Sequence, residues 1–213
     1  MSCPICERRP PKRFCPAKGE KICAICCGRE REVTIDCPSG CPYLVTARRY
    51  ETEHRKPLSF EEFPYPDVEF LPEFVDERWT VVSGLATAIL AFQIENQDLN
   101  DGAVLGALEA LAETYRTLDT GIYYERPPDA SLARALYRRI ARFVQEFQTQ
   151  EAEHRGFSSL KESELFRLLV FLLRVGKREA NGRPRSRAFL DFLRSQFPLP
   201  QGVAKGGSRI IVP

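Results

Sequence analysis

All eight cysteines of this 213-residue chain fall between Cys3 and Cys41, and the 172 residues after them contain none. They stand as Cys3-Pro-Ile-Cys6, Cys15, Cys23-Ala-Ile-Cys26, Cys27 and Cys37-Pro-Ser-Gly-Cys41. No other feature constrains the fold as strongly. A segment of about 45 residues, with few large apolar side chains beyond Ile5, Phe14, Ile22, Ile25, Val33 and Ile35, buries too little surface to fold unaided. It needs cross-links, which disulfides or metal ions can supply. The opening stretch MSCPICERRPPKRF is charged and has no apolar core of an export signal. That points to the cytosol, or the nucleus of a eukaryote, where thiols stay reduced.

Metal ligation is therefore the expectation. A two-residue gap lets both thiolates of a Cys-x-x-Cys knuckle reach one ion, and all-cysteine tetrahedral sites select zinc. Eight thiols make two sites of four, so the expected cofactor is two Zn2+. The ligands are Cys3, Cys6, Cys15, Cys23, Cys26, Cys27, Cys37 and Cys41. Binding then supplies the folding free energy, on the order of 10 kcal/mol or more per structural site. A catalytic zinc wants an open position and commonly His or carboxylate ligands, which this set does not offer. The competing uses of such a set are a disulfide cluster and an iron–sulfur centre.

Adjacent residues chelate one ion poorly, so Cys26 and Cys27 are expected to serve different ions. Two divisions remain. In the interleaved one, Cys3, Cys6, Cys23 and Cys26 hold one ion, and Cys15, Cys27, Cys37 and Cys41 hold the other. In the second, Cys23, Cys26, Cys37 and Cys41 form a knuckle–hairpin–helix site, leaving Cys3, Cys6, Cys15 and Cys27. The interleaved division is preferred. Arg29 to Cys37 reads as a strand with Val33 and Ile35 alternating, and Cys37 and Cys41 stand at the start of a helix running to about Arg55. His54 and His154 read as surface residues.

By its cysteine spacing, residues 3 to about 55 resemble the cross-brace and treble-clef zinc fingers, including the HIT and MYND types. The segment departs from them by ending in Cys37-x3-Cys41 rather than a His-containing pair, and it lacks the Cys/His order of a RING ubiquitin ligase. The resemblance implies a small rigid platform that usually binds another protein and less often a nucleic acid.

The fold class expected is mainly α: a small two-zinc cysteine-rich finger (1–56), a proline- and aromatic-rich acidic strap (57–75), an antiparallel bundle of about five helices (76–197) and a flexible tail (198–213). Prolines at 57, 64, 66 and 72 forbid a long helix in the strap, and its aromatics are expected to lie on the bundle. Three- and four-residue apolar spacing then marks five helices. The first runs from a cap at Asp76 to about Gln97, with Trp79, Val82, Leu85, Ala86, Ile89 and Phe92 on one stripe. The second starts at Asn100 or Asp101, and the third spans Asp129 or Ser131 to His154. The fourth opens at Ser158 or Ser159 with Glu162 as a capping box, ends at Asn181-Gly182, and is apolar nearly all round. The last runs from Arg185 or Ser186 to Phe197. The tail ends in SRIIVP, a disordered end or a strand for a partner's sheet.

The longest apolar run, Leu168 to Leu173, is too short to span a membrane. No nucleophile–base pair, phosphate-binding loop or metalloprotease motif appears, so neither an enzyme nor a small-molecule substrate is expected. The favoured function is a non-enzymatic zinc-binding adaptor whose finger and bundle dock other macromolecules, a protein first. The alternative is RNA or DNA binding through Arg174, Lys177, Arg178, Arg183, Arg185 and Arg187, together with basic residues of the finger. Against it, two zinc ions with eight thiolates contribute −4, which reduces the +5 of residues 1–57 to about +1.

Overall fold

A computed structural model describes residues 2–69, 71–119, 121 and 124–198, with backbone only at Phe60 and Asp119. It has the expected architecture, a cysteine-rich N-terminal region followed by a helical bundle. The SRIIVP tail lies outside the described residues.

The cysteine region is built on a hairpin. Strand β1 (Arg13–Cys15) pairs antiparallel with β2 (Glu20–Ile22), Phe14 lying opposite Lys21. Gly19 takes φ +68° and donates its amide to the Cys15 carbonyl, a left-handed turn that favours glycine. Helix α1 (Ala24–Glu30) follows, capped by the Cys23 sulfur, which accepts from the Cys26 amide. The strand expected over Arg29–Cys37 is not formed. Residues up to Glu30 belong to α1, and the amides of Val33, Thr34 and Ile35 all bond to the Glu30 carbonyl, closing a turn bridged between Arg31 and Ile35. Among the described residues, no neighbouring strand offers this segment a ladder, and Val33 faces out while Ile35 is buried. Helix α2 (Pro42–Glu53) starts with proline at its first position, directly after Cys41.

The strap is laid on the bundle as expected. Arg174 holds it by donating to the carbonyls of Pro64, Tyr65 and Val68. Tyr65 donates to Glu113 at 2.6 Å and meets Phe166 edge-on.

Helix α3 (Pro72–Glu77) breaks at Arg78 before α4 (Trp79–Glu95), where the sequence suggested one helix capped by Asp76. The break turns Trp79 out of the core stripe to stack, half-exposed, on Phe197. The bundle continues with α5 (Asp101–Asp119), α6 (Ser131–Arg155), α7 (Glu162–Glu179) and α8 (Ala188–Gln196). Its core joins Leu85 and Ile89 to Leu108 and Leu111, Leu136 and Ile140, Leu168 and Leu172, and Phe189 and Leu193. Helix α7 packs chiefly along α5. Gly176 of α7 lets Leu105 and Phe189 approach so closely that a Cβ there would lie 2.6 Å from one and 2.9 Å from the other.

Two caps differ from expectation. The serines before α7 give their hydroxyls to Glu151 of α6, and Glu164 rather than Glu162 accepts the Lys161 amide. The buried carboxylate of Asp101 caps α8, accepting from the amides of Phe189 and Leu190 and from the Ser186 hydroxyl. Burial pushes the Asp101 carboxyl above its usual range despite those bonds. Among the described residues, no helix is long and apolar enough to cross a membrane.

Candidate metal centre

The hairpin and α1 bring one quartet of thiols together. The sulfurs of Cys3, Cys6, Cys23 and Cys26 all lie within 4.8 Å of one another, and all but Cys6 are buried. Four sulfurs bound about 2.3 Å from one tetrahedral ion would be about 3.8 Å apart. The Cys6 and Cys23 sulfurs are separated by 3.9 Å, so this group can hold a metal ion. Backbone amides point at it: Cys23 N–H donates to the Cys3 sulfur at 3.2 Å, and Cys26 N–H to the Cys23 sulfur at 3.4 Å.

The protonation pattern fits the same use. Burial disfavours a Cys3 thiolate, but amides of Cys23, Cys6 and Ile5 outweigh it and bring the group down to about 6. The amides of Arg8 and Arg9 lower Cys6. Cys26 is pushed up to about 12, first by burial and then by Cys23, Cys6 and Cys3. Ionisation of every thiol in one buried cluster is opposed by mutual repulsion, and a divalent cation removes that opposition.

This geometry favours the interleaved division over the knuckle–hairpin–helix one, because Cys23 and Cys26 share their cluster with Cys3 and Cys6. Among the described residues, no three of the other four sulfurs come within 4.8 Å of one another, but these cysteines share a cavity. Cys15 at the end of β1, Cys27 on α1, and Cys37 and Cys41 before α2 all line one cavity of about 10 Å³, walled by Phe14, Ile22, Ile35 and Leu44. Burial raises the Cys37 thiol, and the charges of Cys41 and Cys15 raise it further. Cys26 thus belongs to the quartet, while Cys27, next to it on α1, lines the separate cavity.

The segment between Cys27 and Cys37 also fastens the finger to the bundle. Glu32 is 1% exposed, with φ +54°. Its carboxylate accepts from Arg48 at 2.5 Å and from Asn181 at 2.8 Å, and its carbonyl accepts the Arg185 amide. Asp36 takes both guanidinium nitrogens of Arg187, at 2.6 and 3.1 Å. Arg48 also pairs with Asp191 of α8; burial works against its charge, but Asp191 and Glu32 more than reverse that.

These contacts account for much of the basic cluster that the sequence singles out. Arg174 is bonded to the strap. Arg183 donates to the Arg31 carbonyl and pairs with Glu51, and Arg187 is held by Asp36 and the carbonyls of Leu99 and Gln97. Lys177, Arg178 and Arg185 are exposed, with Arg178 beside Glu179. The acceptors lie far away in sequence, so composition alone could not reveal them.

A larger cavity of about 310 Å³ opens between α4 and α6, lined by Arg78, Phe147, Glu151, His154 and Leu160 among others. Of its two acids, Glu77 and Glu151, the second accepts from both hydroxyls of Ser158 and Ser159 and from the Ser159 amide. His54 and His154 are exposed, each bonded to a carbonyl one helical turn back.

No protein-family model matches the chain, and no curated protein or solved structure matches it either.

Proposed function

We propose that the chain is a non-enzymatic interaction protein, in which a finger held by two structural zinc ions is fixed to a helical bundle and docks another protein. The observation that carries this reading is the closed thiol quartet of Cys3, Cys6, Cys23 and Cys26. Four sulfurs complete a tetrahedral site and leave no position for substrate, the arrangement of structural zinc. The second ion belongs to Cys15, Cys27, Cys37 and Cys41, a reading supported by their common cavity and by the influence of Cys15 and Cys41 on Cys37.

A protein partner is favoured over a nucleic acid for two reasons. Arg174, Arg183 and Arg187 are occupied by acceptors within the chain. The finger instead exposes apolar side chains, including Phe14, Ile25, Val45 and Tyr50.

The test is binding to mixed RNA and DNA across a salt series, beside affinity capture by the zinc-loaded chain from its own host. Weak, shallow salt-dependent nucleic-acid binding with reproducible capture of a protein supports the proposal. Tight nucleic-acid binding that falls steeply with salt and weakens in Arg183→Ala/Arg185→Ala would replace it with the alternative.

A further inference from the structure

The hairpin gathers several cations that, among the described residues, have no carboxylate partner. Residues 7–21 carry six basic side chains against two acidic ones. Arg8, Arg9, Lys12, Lys18 and Lys21 are exposed and, among the described residues, make no ion pair. The strand register orders this charge. Phe14 lies opposite Lys21, and just before β1 the Lys12 amide bonds to the carbonyl of Ile22, the residue paired with Arg13. The register puts Phe14 and Lys21 on the outer face, with Cys15 and Ile22 buried behind them and Lys12 exposed just before β1. Phe14, opposite Lys21 and two residues after Lys12, is 53% exposed.

Residues 67–77 present the opposite pattern, with five acidic side chains and no basic one. Glu69, Glu73 and Asp76 are exposed and, among the described residues, make no ion pair. Leu71, between Glu69 and Glu73, is 70% exposed. Arg167 touches this segment, but it lies over the Phe74 ring and donates to the Glu69 carbonyl rather than to a carboxylate.

Each surface is an exposed apolar side chain set between like charges, and the two surfaces have opposite sign. Among the described residues, no ion pair joins them within one chain. We infer that a second copy of this chain docks through them, the hairpin of each copy meeting the 67–77 segment of the other about a two-fold axis. Reciprocal pairing satisfies both surfaces of both copies and closes, whereas a single contact would leave one surface open at each end. A nucleic acid would complement only the hairpin, leaving the acidic segment and Leu71 without a role. Single-strand platforms also use successive aromatics, and this face has one.

The inference extends the interaction-protein reading and requires only a folded finger. Sedimentation of the zinc-loaded full chain at low ionic strength should show the mass rising with concentration from 24.3 kDa toward twice that value. It should return to monomer at about 0.5 M salt. Lys12→Glu/Lys21→Glu and Glu69→Lys/Glu73→Lys should each weaken self-association by roughly tenfold or more, and an equimolar mixture of the two variants should regain it. Wild-type zinc content and far-UV circular dichroism in each variant establish that it is folded.

A chain that stays at 24.3 kDa at every concentration, or reversed variants that associate no better mixed than alone, overturns the inference. So does a monomer whose hairpin binds a single-stranded oligonucleotide. A monomer that still captures a different protein through Phe14 refutes self-association alone, whereas absence of zinc from the purified chain undercuts the reading beneath it.

Discussion

Replacing Glu32 by alanine should loosen the finger from the bundle. The carboxylate is buried and accepts two bonds, from Arg48 at 2.5 Å and Asn181 at 2.8 Å. Hydrogen bonds to charged groups contribute about 1.5–3 kcal/mol each, and removing one partner of a buried ion pair costs about 3–5 kcal/mol. Arg48 keeps Asp191, so its guanidinium is not left without a counter-charge, and the expected loss is about 2–3 kcal/mol. Backbone strain does not enter this difference, because alanine and glutamate pay alike for φ +54°. Glu32→Gly relieves that strain and should be less destabilised than Glu32→Ala by about 1 kcal/mol. Urea unfolding at saturating zinc, followed by far-UV circular dichroism, reads the effect. With a slope of about 2 kcal/mol per molar urea, the alanine midpoint should fall by about 1–1.5 M. Adding Arg48→Met should then cost less than it does in the wild-type chain, since the two side chains share one contact. An alanine midpoint within about 0.25 M of wild type, or strict additivity with Arg48→Met, would refute the assignment of Glu32 as the fastening residue.

Three further outcomes are expected. Cys26→Ser and Cys27→Ser should each lower metal content but damage different sites, so the double variant should lose more zinc than either single one; equal loss in all three would place both residues at one ion. Gly176→Ala should destabilise the bundle by about 1–3 kcal/mol in thermal unfolding, since its Cβ would sit 2.6 Å from Leu105 and 2.9 Å from Phe189; a neutral result would contradict the tight α5–α7–α8 junction. At Glu151, burial favours protonation, but bonds from Ser159 and Ser158 overcome it and hold the carboxyl below its unfolded value of 4.5. Its stabilisation is therefore full above that value and is lost as pH falls through the lower folded one, so Glu151→Gln should flatten the acid side of the stability–pH curve; an unchanged slope would refute it.

Cysteine spacing and helical periodicity are enough to make a cysteine cluster able to hold a metal and the five bundle helices legible in the sequence. The awkwardness of chelating one ion with Cys26 and Cys27 together is met by both divisions, and the grouping of Cys23 and Cys26 with Cys3 and Cys6 is decided by how α1 packs on the hairpin. Less is visible where long-range partners decide. The Val33/Ile35 alternation imitates a strand, but no neighbour among the described residues supplies a ladder, and the Glu30 carbonyl gathers those amides instead. The 174–187 arginines look like a nucleic-acid surface because their acceptors, Glu51, Asp36 and the strap carbonyls, lie more than a hundred residues away. Asp101 reads as the start of its own helix, and its capping of α8 from 88 residues away leaves no local signal. Trp79 continues the apolar stripe in sequence but lies beyond the break at Arg78, which no proline or glycine marks.

The most direct test of the central claim is metal content by mass spectrometry of the full chain purified without chelator. Two zinc ions per chain, with all eight thiols protected from alkylation until a chelator is added, is the predicted result. One ion or none, or four thiols reactive in the metal-loaded protein, would contradict the account of a finger held at two four-cysteine sites.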